Sequence, residues 1–261
     1  MARVSLTPDT LDDAARGFAP APLAQPVFVN SVPKSGTHLL RNVLRMFVPV
    51  EQHYAAQFIQ WPNLFDHLAA FDPAAPMLSC GHLLFTDASA IETSRCRRIV
   101  LVRDPHSWVL ARARFFLSEQ FSGNMDFIKQ GRLTVPDLLN LMIFGIHDKA
   151  PGLAEQYRFN ALAWIGTGAL VVRYEDLVAH VAAIETPAAE ACFAEILGHC
   201  GIAMPENWRE RVLAGADRRQ SGTARENLKL APIALPDELP DAQKRVIEAA
   251  APGLRAALGY A

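Results

Sequence analysis

Apolar residues fall in two patterns along this chain: short continuous runs, and longer stretches where they recur at helical spacing. Val27–Ser31 (V-F-V-N-S) is the first run, and it leads into a turn at Pro33–Gly36. A second run ends at Met77–Cys80, just before Gly81 and His82, and a third, Arg98–Val102 (R-I-V-L-V), ends in R-D-P. The fourth is Ala169–Arg173 (A-L-V-V-R). Runs that are apolar without alternation read as strands buried on both faces. Between them, Thr37 opens a helix in which Leu40, Val43, Leu44 and Phe47 share a face. Pro105 suits the first position of a helix capped by Asp104 and continuing to about Phe116. Further helical patterns cover 135–146, 151–165, 188–199, 206–214 and 241 to the end. The Ala- and Pro-rich stretch before Pro26 reads as peripheral surface, and no internal repeat or Gly/Ser linker divides the rest.

Strands alternating with helices predict an α/β fold: a central parallel sheet flanked by helices in three layers, with residues 1–261 forming a single domain. In such sheets ligands bind beyond the carboxyl ends of the strands. That rule gathers Lys34, His82, Arg103 and Tyr174 at one edge, because each stands at or just past the end of a run.

Composition narrows the function classes. With 51% hydrophobic and 20% charged residues the chain is not disordered. A net charge of −2 excludes a global basic field for nucleic acid and leaves room for a local basic pocket. The longest apolar runs, such as Leu141–Gly145, are far too short to span a bilayer, and acidic residues stand where a signal peptide needs an apolar run. Cys80, Cys96, Cys192 and Cys200 form no C-x-x-C pair and read as reduced thiols, which predicts a cytoplasmic protein. Five lysines among 25 basic residues fit a GC-rich bacterial genome.

Two segments carry candidate chemistry. V-F-V-N-S-V-P-K-S-G-T-H joins a strand to a helix start through a tight turn. Backbone N–H groups of such a turn, with the helix N-terminus, hold anions. Lys34 adds a mobile charge and Thr37 a hydroxyl. The triphosphate loop G-x-x-x-x-G-K-[ST] is absent, since this turn has one glycine and its lysine comes first. In R-I-V-L-V-R-D-P-H-S-W, Arg103 at a strand end can fork onto a phosphate or pair with a carboxylate such as Asp104.

Together these segments resemble the sulfotransferases that use 3′-phosphoadenosine 5′-phosphosulfate (PAPS), most closely the soluble, cytosolic-type members. P-K-S-G-T is similar to that family's loop for the 5′-phosphosulfate, and V-R-D-P to its 3′-phosphate site. G-H-L-L (Gly81–Leu84) resembles the segment with the catalytic histidine, here His82. V-V-R-Y-E-D-L (Val171–Leu177) resembles the strand and turn whose tyrosine, here Tyr174, contacts adenine. R-R-Q-S-G (Arg218–Gly222) resembles the C-terminal loop that clamps the 3′-phosphate. The resemblance spans about residues 26–260 and implies a P-loop-type fold. It departs from the family at His38 and Leu39, where threonine and tryptophan are frequent, at Cys80 in place of a lysine, at Ala111 in place of a serine, and at Gln220 in place of a glycine. Ser107, four residues before Ala111 and so on the same helix face, is expected to supply the missing hydroxyl.

The resemblance implies that Lys34, Ser35, Gly36, Thr37 and His38 cradle the 5′ end of PAPS. Arg103, Ser107, Arg218, Arg219 and Gly222 would hold the 3′-phosphate. His82 would take the acceptor's proton and Lys34 would neutralise charge on the leaving oxygen, with no metal. Glu51 is an alternative base. Large apolar side chains between 115 and 165 (Phe115, Phe116, Phe121, Phe127, Leu138, Met142, Phe144, Trp164) suggest an apolar or aromatic small-molecule acceptor, or else a helix core. A P-loop kinase-type phosphotransferase, requiring magnesium and a triphosphate, and a non-catalytic nucleotide-binding relative are the alternatives. The sequence leaves the oligomeric state open.

Overall fold

A computed structural model describes residues 3–4, 9–56, 58–119, 121–123, 125–220 and 233–261. Its strands are β1 (Arg3–Val4), β2 (Val27–Ser31), β3 (Ile59–Gln60), β4 (Leu78–His82), β5 (Arg97–Val102), β6 (Phe121–Ser122) and β7 (Leu170–Arg173). Its α-helices are α1 (Leu11–Gly17), α2 (Thr37–Arg45), α3 (Asp87–Glu92), α4 (Pro105–Leu117), α5 (Val135–Phe144), α6 (Leu153–Asn160), α7 (Tyr174–Ala182), α8 (Pro187–His199), α9 (Trp208–Ala216), α10 (Asp241–Ala250) and α11 (Leu254–Ala257). The chain divides into two compact units. A sheet unit is drawn from Pro8–Val102 and Phe159–Ser221, and a helical unit from Met1–Thr7, Arg103–Arg158 and Gly222–Ala261.

The sheet unit carries a five-stranded parallel sheet in the order β3-β4-β2-β5-β7. All five residues of β2, the central strand, are buried, as expected of a strand covered on both faces. Val27 and Val29 of β2, Leu78 and Cys80 of β4, and Ile99 and Leu101 of β5 share one core with α2, α8 and α9. The four residues picked out by spacing, Leu40, Val43 and Leu44 of α2 and Phe47 just beyond it, are all buried in it. Phe28 packs edge-on against Phe71, with ring centroids 5.4 Å apart. The stretch expected to be peripheral contains α1, whose Leu11 and Ala15 are fully buried in the same core.

Two expected helices are interrupted for visible reasons. The 151–165 pattern becomes α6 and a short 3-10 turn, Leu162–Trp164, with Ala161 in a non-helical conformation between them. The Asn160 carbonyl accepts from the Asn30 side chain instead of carrying the helix on. The C-terminal pattern splits at Ala251-Pro252-Gly253: a residue before proline is driven out of the helical region, and Gly253 takes φ +70°. Residues 174–182, which carried no assigned element, form α7 directly after β7.

In the helical unit, α4 packs against α5 and α10, and β1 pairs antiparallel with β6. Asp104 caps α4 as expected, its carboxylate accepting from the His106 N–H at 2.9 Å.

Candidate active site

The anion loop follows β2. Lys34 and Gly36 both adopt positive φ, +73° and +90°, and turn the chain sharply so that Gly36 caps α2. A left-handed lysine is uncommon and costs about 1–2 kcal/mol. A Cβ placed on Gly36 would lie 2.3 Å from Cδ2 of Tyr174, so only glycine lets that ring sit on the loop. Ser35 is fully buried, and its Oγ has no hydrogen-bond partner among the described residues. Thr37 is buried and its hydroxyl lies 2.6 Å from Ser31 Oγ.

His82 belongs to the same network. It is the last residue of β4, where the sequence had placed it just past the strand. Its Nδ1 lies 3.0 Å from both the carbonyl oxygen and the Oγ of Ser31. A carbonyl only accepts, so the proton sits on Nδ1 and leaves Nε2 with a lone pair. Burial is the main cause that pushes the His82 pKa down, to about 4, with the Lys34 charge acting the same way and the Ser31 hydrogen bond opposing both. His82 is therefore neutral at pH 7, as a base must be. Phe58 stacks on its ring, 4.7 Å between centroids, and His38 meets Phe58 edge-on at 5.0 Å.

The sequence reading missed the residue that holds His82 in place. Asn30 is buried in β2. Its Oδ1 accepts from the Leu83 N–H at 2.8 Å, and its Nδ2 donates to the Leu83 and Asn160 carbonyls at 3.1 and 3.2 Å. One side chain thus clamps the backbone directly after His82. Asn30→Leu should destabilise the fold by about 2–4 kcal/mol in urea denaturation, because it leaves buried backbone groups unpaired.

Arg103 directly follows β5 in the chain and belongs to the helical unit. Its Nε donates to Ser107 Oγ at 2.9 Å. Tyr157, fully buried against Trp108, donates its hydroxyl to the Arg103 carbonyl at 2.7 Å. Asp104 is bound at both oxygens by Arg255, whose Nε lies 3.1 Å from Oδ1 and whose Nη2 lies 2.9 Å from Oδ2.

Tyr174 is the first residue of α7 and lies in the sheet unit with the loop. Arg218 and Arg219 are exposed in the turn after α9, and Arg219 pairs with Asp217. Gly222 lies outside the described residues. Leu39 packs against the core, Ala111 is buried in α4, and Glu51 is exposed on a 3-10 turn. Cys80 is a core thiol whose pKa burial raises to about 11. Of the apolar residues between 115 and 165, Leu138, Met142 and Trp164 are fully buried, whereas Phe127 and Phe144 are exposed. No helix among the described residues is long and apolar enough to cross a membrane.

Solved structures match this architecture. A mouse sulfotransferase, SULT7A1, complexed with PAP, is similar over 92% of this chain and 88% of its own, with 14% identity and a TM-score of 0.59. Retinol dehydratase in complex with androsterone and inactive cofactor PAP is similar over 92% of this chain and 83% of its own, with 14% identity and a TM-score of 0.53. No family model matches the sequence, and no curated protein matches it. The chain has the sulfotransferase fold, the α/β fold with a parallel sheet flanked by helices that its motifs implied.

Proposed function

We propose that this protein is a PAPS-dependent sulfotransferase. It would transfer a sulfuryl group to the hydroxyl or amine of a small apolar or aromatic acceptor, with His82 as base. The observation that carries the reading is the Thr37–Ser31–His82 network, which joins the loop after β2 to a histidine whose Nδ1 is held by the Ser31 carbonyl, leaving the lone pair on Nε2. The loop suits an oxyanion: Ser35 keeps a buried hydroxyl without a partner among the described residues, next to Lys34 in the chain and at the N-terminus of α2. Lys34, Ser35, Gly36, Thr37 and His38 would hold the 5′ end, and Tyr174 would meet the adenine. Arg103, Ser107, Arg218, Arg219 and Gly222 would bind the 3′-phosphate.

When bound, PAPS supplies an electrophilic sulfur whose leaving group is the 5′-phosphate of adenosine 3′,5′-bisphosphate (PAP). Nε2 of His82 takes the proton of the attacking acceptor. Lys34 stabilises charge on the bridging oxygen, and losing one such preorganised donor costs on the order of 3 kcal/mol. Phe58, stacked on His82, gives the acceptor an apolar wall. In retinol dehydratase the bound androsterone is an apolar alcohol of the class inferred here.

Calorimetric titration with PAP, adenosine 5′-phosphate and ATP with magnesium tests the reading. Binding that prefers PAP, needs no magnesium and weakens in Arg103→Ala supports it, and preference for ATP with magnesium overturns it in favour of a kinase. Ser107→Ala should weaken PAP about tenfold while leaving adenosine 5′-phosphate unchanged, a loss of about 1.4 kcal/mol consistent with one hydrogen bond to a charged group.

A further inference from the structure

Strand pairing brings Phe58 to His82. β3 is an edge strand of the sheet and runs beside β4, with Ile59 opposite Gly81 and Gln60 opposite His82. A Cβ on Gly81 would lie 2.2 Å from the Ile59 carbonyl oxygen, so a glycine there is what lets β3 come this close. Phe58 is the residue just before that short strand. Its ring lies nearly parallel to the imidazole, at 21° with centroids 4.7 Å apart. A parallel stack covers a face of a ring and leaves its edge open. The lone pair of Nε2 lies in the plane of the imidazole, so the stack does not stand in its way.

We propose that Phe58 is a positioning residue for the base: stacked on His82, it keeps water off a face of the imidazole while leaving Nε2 open at the edge. The inference rests on the reading of His82 as the base. Two effects of the ring oppose each other. Excluding water penalises the charged imidazolium, whereas the π face of a phenyl ring attracts a cation. Burial is the main cause that lowers the His82 pKa, which favours the first effect. The charged and titratable neighbours are few. Lys34, on the loop after β2, disfavours a second positive charge, and His38 of α2 meets Phe58 edge-on. Arg41 and Arg45, also of α2, act on Cys80, two residues before His82. On the 61–71 segment, which packs against β4, His67 is turned to Tyr54 and Asn63, and Asp66 is exposed. Gln60, opposite His82, is neutral.

The readout is the titration of the His82 ring nitrogens by ¹⁵N NMR, with the signals assigned by their loss in His82→Gln. It needs neither cofactor nor acceptor. Wild-type His82 should titrate near pH 4. Phe58→Ala should raise the proton affinity of the ring at least tenfold, an upward move of about one pH unit or more. Phe58→Leu, which keeps an apolar cover, should stay within about threefold of wild type. The acid limb of turnover should move with the NMR midpoint in Phe58→Ala, a shift that a ring merely bracing the loop would not give. A midpoint unchanged or lowered in Phe58→Ala overturns the proposal. So does a wild-type His82 that titrates in the ordinary histidine range, a result that needs no variant to fold. Turnover separates the two levels of the argument. If the NMR midpoint moves in Phe58→Ala and the acid limb does not, His82 is not the base, and this proposal falls with that reading. If His82→Gln loses turnover while the midpoint stays put in Phe58→Ala, only the role of Phe58 falls.

Discussion

His82→Gln is expected to lower turnover by about 10²–10⁴-fold, the usual contribution of a positioned general base, while changing affinity for PAP no more than about twofold. Glutamine retains an N–H that can reach the Ser31 carbonyl, so the variant removes the base and keeps the local bond. The pH profile gives an independent signature. His82 titrates near pH 4 because it is buried beside Lys34. Wild-type activity should therefore hold from neutral pH down to about 5 and fall as Nε2 becomes protonated below that, and the acid limb should vanish in the variant. Stability follows the same titration with a definite sign. Between the ordinary histidine range and pH 4 the unfolded chain takes up a proton that the native chain does not, so native stability declines as pH falls through that window. Urea midpoints measured at pH 7 and pH 5 should converge more closely in His82→Gln than in wild type.

Gly36→Ala has the second large effect. The new Cβ would lie 2.3 and 2.5 Å from two carbons of Tyr174, at a φ of +90° that disfavours any side chain. Overpacking of this kind costs about 1–3 kcal/mol, and the left-handed backbone about 1–2 more. The expected result is a loss of about 2–5 kcal/mol in urea denaturation together with weakened PAP binding, since either the ring or the loop must move. The two contributions separate in a double-mutant cycle. In a Tyr174→Ala background the same substitution should cost only the backbone share, so the coupling between the two positions reports the ring contact directly.

Much of this fold could be read from the pattern of the chain. Val27–Val29 is continuously apolar because β2 lies between β4 and β5 and is covered on both faces. Pro105 and Asp104 mark the start of α4 because a proline lacks the N–H that the first turn leaves unpaired, and the cap supplies an acceptor for the next. Ser107 was singled out by the resemblance, through the serine missing at Ala111, together with helical spacing. What escaped were residues whose roles depend on strand register and on distant chain segments. Asn30 and Ser31 look like ordinary members of an apolar strand, and only the pairing of Asn30 with Gly81 brings them to the backbone around His82. Phe58 adjoins a strand of two residues, too short for any periodicity to show. Arg255 lies 151 residues from Asp104, and nothing local marks the pair. His38 had two readings, phosphate ligand or filler at a helix start. The structure adds an edge contact to Phe58, the ring stacked on His82.

Lys34 has a consequence for how this protein would change over generations. At φ +73° its backbone position is one that glycine occupies without strain. Lys34→Gly would therefore relax the loop even as it removed the charge. If Lys34 serves the proposed reaction, selection for a sturdier fold and selection for that reaction pull in opposite directions at this position. A lineage freed from the need for catalysis would drift toward glycine or asparagine there before the rest of the loop decayed.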